Sequence, residues 1–197
     1  MFEGAQDRQG TPEGSASPQR SGQDLWMGPA GCSGDAVTFT ASPVDPEDLW
    51  YITPQGKLHG SHVTPTDHTY FLHDKLDEYE EHAGLVRAGG SPKPWSPAYD
   101  VRAPAGGLIV RIEAFPFGPA PYGYTGTLED YRVVIWHSCT VSTIFIHLGG
   151  LAPEITEATG EIQGGARWSS SNGSSAIPVE AGQVIGKVGG QGIDFSV

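Results

Sequence analysis

The chain has 197 residues, 38% of them hydrophobic and only 17% charged, and its 28 glycines and 16 prolines break it up too often for long helices. A formal net charge of −12, from 23 acidic against 11 basic residues, argues against a nucleic-acid partner, which would need a basic face to displace counterions from phosphates. No stretch approaches the roughly 18 apolar residues of a membrane span, and two cysteines, Cys32 and Cys139, supply neither a thiolate metal site nor a disulfide framework.

Residues 1–35 are rich in Gly, Ser, Gln, Pro and Asp with hardly any aliphatic side chains, so they bury too little to offset the entropy of ordering and read as a disordered tail. The tail carries no apolar core of a signal peptide. Cys32 lies in it, so two free thiols are expected ahead of a Cys32–Cys139 bridge. The domain, residues 36–197, opens with alternating apolar positions in AVTFTASPV and a short helical turn at Asp45 to Asp48 with acids at its start. Trp50, Tyr51 and Ile52 follow between turn residues.

The stretch HGSHVTPTDHTYF then packs His59, His62, Asp67 and His68 into ten residues. Imidazoles and carboxylates are the ligands zinc takes where no thiolate is offered, and an open site with about three protein ligands is the catalytic kind. His59 reads as surface. TYFLH (Thr69 to His73) is a short strand, and residues 73–98 read as a polar surface insertion holding a hairpin turn or a brief helix over Lys75 to His82, with His73 and His82 in solvent.

From Asp100 the strand signal strengthens. Leu108 to Ile112 follow a Pro-Ala-Gly-Gly turn, and YRVVIWHS and VSTIFIHL form a hairpin turning at Cys139 and Thr140. His137 beside that turn and His147 near the open end lie about 17 Å apart along the strand, so they serve different places. His137 reads as structural. Residues 149–176 read as a second surface loop, and VEAGQVIGKVG as strand, Ala-Gly turn and strand. In the closing GIDFSV, Ile193, Phe195 and Val197 share one face while Asp194 lies on the other with Gly192 and Ser196. A lone acid opposite a core-packed face can point into a cleft, which makes Asp194 a candidate ligand.

In this order, VRAPAGGLIVRIEAF, YRVVIWHSCTVSTIFIHLGGL and IPVEAGQVIGKVGGQGIDFSV resemble the lysostaphin and LytM type of zinc endopeptidase, over about residues 59 to 197. The resemblance implies an all-β fold, a small twisted antiparallel sheet of the barrel-sandwich hybrid type with the disordered tail in front. It also implies a zinc cofactor, a peptide or peptidoglycan substrate, and an extracytoplasmic or cell-envelope location. His147 in IHL falls on the histidine that assists catalysis without binding metal. Asp194 in GIDF falls on a metal-ligand position, and Gly192 on a second histidine that this chain lacks. His62 and His68 are the preferred N-terminal metal ligands, with Asp67 as a substitute for either, because the HxxxD spacing of the family is not kept.

Zinc held by His62, His68 and Asp194 would leave a place for water, with His147 as general base or oxyanion donor. The missing histidine at Gly192 keeps a second reading open, a catalytically inactive LytM-like module that binds a cell-wall, carbohydrate or protein partner. A third, a lipoyl- or biotinyl-type carrier, falls behind because the turns Ala105-Gly106-Gly107 and Ala181-Gly182 offer no lysine. The chain stops directly after its last strand, so a reading frame cut at either end is also open.

Overall fold

Alternating β-branched, aromatic and small residues make this chain a sheet former. The computed structural model describes residues 34–58, 64–170 and 175–197. Among them the strands are β1 (Leu49–Thr53), β2 (Thr69–His73), β3 (Asp100–Arg102), β4 (Gly107–Ala114), β5 (Gly118–Pro119), β6 (Thr127–Leu128), β7 (Tyr131–Trp136), β8 (Ser142–Leu151), β9 (Arg167–Ser169), β10 (Ile177–Val179), β11 (Val184–Val188) and β12 (Gly192–Ser196). Two helices join them, α1 (Leu76–Arg87) and α2 (Pro153–Thr159). The tail of residues 1–35, apart from its last two, lies outside the described residues, as do His59, His62 and Cys32.

Ten of the described strands form one antiparallel sheet, in the order β1-β2-β12-β8-β7-β4-β10, with β9 added to β4 and β3 to β11; it does not close into a barrel. The expected mostly β, antiparallel architecture is therefore present. Strand β8 organises it. One edge of β8 pairs with β7, while its other edge takes β12 along Ile144–Ile146 and then β11 along Leu148–Leu151. The joint between β11 and β12 thus faces His147, and the Gly189 amide donates to the His147 carbonyl at 2.9 Å.

Phe145, Leu148, Ile109, Ile112, Ile135, Ile185 and Ile193 are fully buried in one core, each side chain contributing about 1.5–3 kcal/mol by leaving water. β10 and β11 flank the expected turn but do not pair with each other: β10 pairs with β4, and β11 with β3 and β8. The alternation in AVTFTASPV does not produce a strand, although Val44 is buried. Val197 is exposed rather than sharing the core face of Ile193.

Both expected surface loops contain ordered elements that contribute to burial. Within 73–98, α1 runs to Arg87, five residues beyond the brief helix, and buries Tyr79, His82 and Ala83. Acids in its first turn and Arg87 in its last suit the helix dipole. It ends where the Gly89 amide bonds the Val86 carbonyl and the Gly90 amide the Leu85 carbonyl, a Schellman arrangement with Gly89 at φ 89°. His73 and His82 are buried at 1% and 4% exposure, which corrects their placement in solvent. His73 lies among Tyr79 and Tyr99, and His82 stacks on Tyr124. Within 149–176, β8 continues to Leu151, α2 buries Ile155 completely, and β9 pairs with β4. Cys139 is disulfide-bonded, so the expectation of two free thiols fails.

Candidate functional site

Register places the site. Asp194 on β12 pairs with Tyr70 on β2 and Ile146 on β8, so the three share the sheet face opposite Ile193 and Phe145. His68, immediately before β2, stands edge-on to Tyr70 at 4.7 Å between ring centroids. Its Nε2 lies 3.5 Å from Asp194 Oδ2, and both side chains are largely buried, at 14% and 12% exposure. Asp67 occupies the other side of the imidazole, 2.7 Å from Nδ1, and is 93% exposed. That contact orients the imidazole of His68.

His147 arrives by a local irregularity. Thr143 and Phe145 are buried, and strict alternation would send residue 147 into the core after them. Val133 pairs with Phe145 but Tyr131 with Leu148, which inserts one extra residue into β8. Leu148 then fills the core at 0% exposure, and His147 turns out to the Asp194 face with φ 71°, a left-handed conformation uncommon for a side chain of this size. Its Nε2 is 3.7 Å from Asp194 Oδ2, and its Nδ1 is 3.1 Å from Asp130 Oδ2. The hydrogen bond to Asp130 first, and then the charges of Asp130 and Asp194, hold the imidazole above its ordinary pKa against burial and Arg132. The Tyr70 phenol is pushed up by burial and then by Asp194.

The structure thus brings together His68, Asp194 and His147 from three distant segments. His62 lies outside the described residues, and among the described residues no three His, Cys, Asp or Glu side chains form a group that could hold a metal ion. His137 stands apart, with Nδ1 2.9 Å from the Gly106 carbonyl and Nε2 2.8 Å from Thr143 Oγ1, in keeping with a structural role. Gly192 leaves no space for a side chain, since a Cβ there would run into the Phe71 carbonyl oxygen of β2. A cleft of about 190 Å3 near Tyr99, Asp48 and Arg102 is a separate feature, in which Asp100 pairs with both Arg102 and Lys187.

No protein-family model, curated protein or solved structure matches this chain. The site therefore stands on its geometry. Asp130 was missed by sequence reasoning, because one acid in a Gly- and Pro-rich connection carries no pattern and its contact with His147 depends on the extra residue in β8.

Proposed function

We propose that the chain is a divergent zinc metallopeptidase-like domain of the LytM type, acting on peptide or peptidoglycan cross-links. The observation that carries this reading is Asp194 Oδ2 lying 3.5 Å from His68 Nε2 and 3.7 Å from His147 Nε2. These distances are long for hydrogen bonds, but two ligands on a tetrahedral zinc at its usual bond lengths stand about 3.4 Å apart. A largely buried imidazole and carboxylate at that separation suit the ion, and His68 and Asp194 would hold it together with His62. Zinc bound there would lower the pKa of a water and polarise a carbonyl.

The protein's own groups divide the remaining work. Asp67 fixes the His68 ring through Nδ1 and leaves Nε2 directed at Asp194. Asp130 accepts a hydrogen bond from Nδ1–H of His147 and favours its charged form. The same contact favours a second proton on Nε2, which suits a donor to a developing oxyanion better than a general base. The Cys139 disulfide supports an extracytoplasmic location, where such bonds persist.

A second reading is favoured by the crowding at Gly192: an inactive LytM-like module that binds a cell-wall, carbohydrate or protein partner through the same face. Metal analysis of the purified protein, with His68→Ala as control, tests the site. Equimolar zinc that is lost in the variant supports it, and absence of zinc after growth with added metal sinks it. Release of amines from peptidoglycan then separates hydrolase from binding module.

A further inference from the structure

Beside the His147 site the sheet carries a concentration of positive charge at odds with the chain's acidic balance. Glu113 on β4 pairs in register with Arg132 on β7 and Arg167 on β9, and Arg111 lies two residues along the same strand face. All three guanidinium groups converge on this one carboxylate. Arg111 and Arg167 meet Oε1, the latter at 2.5 Å, and Arg132 meets Oε2 at 3.0 Å.

The group therefore carries two more positive charges than negative, in a protein with 11 basic residues against 23 acidic. Each guanidinium has five N–H donors, far more than two carboxylate oxygens accept. The buried Nε atoms of Arg111 and Arg132 have no partner among the described residues. Arg132 is held with its guanidinium over the Phe115 ring at 5.4 Å, and it remains a third exposed, while Arg167 is more than half exposed at 57%. The open side of the cluster is thus a pair of arginines.

Position links this pair to the candidate site. Asp130, which holds His147, directly precedes β7 and lies two residues before Arg132, about 7 Å along the chain. We infer that Arg132 and Arg167, backed by Arg111, bind a carboxylate of the substrate next to the cleavage point, so that the preferred substrate is a peptide with an acidic residue. This rests on the hydrolase reading for its peptide substrate, while the carboxylate site stands on the arginines. Glu113 acts as the resident counter-ion that keeps the cluster folded and competes with the ligand.

The intact chain and two blocked peptides, Gly-Gly-Glu-Gly-Gly and Gly-Gly-Gln-Gly-Gly, provide the test, with binding followed by calorimetry and cleavage by amine release. The expected result is binding of the Glu peptide about tenfold tighter at low salt, a preference removed by Arg167→Gln and increased by Glu113→Gln. Equal binding of the two peptides, or a preference untouched by Arg167→Gln, overturns the inference. If neither peptide is cleaved while the Glu preference persists, the hydrolase reading fails and the carboxylate site stands. If both are cleaved at the same rate in wild type and Arg167→Gln, the hydrolase reading stands and the carboxylate site fails.

Discussion

Asp130 accepts a hydrogen bond from Nδ1 of His147 at 3.1 Å, beside the extra residue that β8 carries against β7. The hydrogen bond first, and then the carboxylate's charge, raise the imidazole pKa above its ordinary 6.5. A raised histidine stabilises the fold fully below the unfolded value and loses that contribution as pH rises through the folded one. Asp130→Asn removes the charge and keeps the shape. The His147 titration followed by NMR should move toward lower pH, and the alkaline edge of any hydrolytic activity should move with it. An unshifted titration would remove Asp130 from the site.

His73 predicts the opposite pH response. Burial lowers its pKa from 6.5, and its ring is satisfied in the neutral form, with Nε2 donating to the Gly190 carbonyl at 2.8 Å and Nδ1 accepting the Lys75 amide at 3.1 Å. A lowered histidine leaves stability intact above the unfolded pKa and erodes it as pH falls toward the folded one. Denaturant midpoints should therefore drop as pH falls below about 6.5, and His73→Phe, which removes the proton site but fills the volume, should flatten this dependence. Losing both hydrogen bonds should cost that variant about 1–3 kcal/mol at pH 7.5.

Strand content was legible in the sequence wherever alternation was strong: TYFLH, LIVRI, YRVVIW and GIDFS all lie in strands, and the opposition of Asp194 to Ile193 followed from period two alone. Helix α1 was underestimated because its exposed side dominates the composition, although Ala88-Gly89-Gly90 marks its stop. Buried His73 and His82 were placed in solvent because burial of a histidine depends on tertiary neighbours such as Tyr79 and Tyr124. Asp130 and the arginine cluster lay beyond sequence reasoning for a related reason. Arg132, Arg167 and His147 reach their partners through strand pairing, and an insertion in register leaves no mark in composition.

The left-handed backbone at His147 makes a stability prediction of the kind that separates function from folding. A φ of 71° is strained for most side chains and free for glycine. At a pH well above the ordinary histidine range, where its charge no longer contributes, His147→Gly should be as stable as wild type or gain about 0.5–1 kcal/mol. His147→Val should lose about 2 kcal/mol, because a β-branched residue tolerates this region worst. Thermal unfolding of the two variants measures the difference. Equal melting temperatures would mean that β8 relaxes its extra residue when the histidine is gone.

Gly192 tests how closely β2 and β12 are held beside Asp194. Under the hydrolase proposal, a histidine placed there would add a second imidazole to the site. The β2 and β12 backbones are too close for that, since a Cβ at 192 would meet the Phe71 carbonyl oxygen and carbon and Leu72 Cδ2. A carbonyl oxygen in a ladder cannot move aside as a flexible side chain can. Gly192→Ala should already cost about 1–3 kcal/mol through overpacking, and Gly192→His should cost more, with the strain falling on the same β12 strand that carries Asp194. Urea unfolding of both variants reports the stability loss. A Gly192→His protein as stable as wild type would show that the two strands can separate.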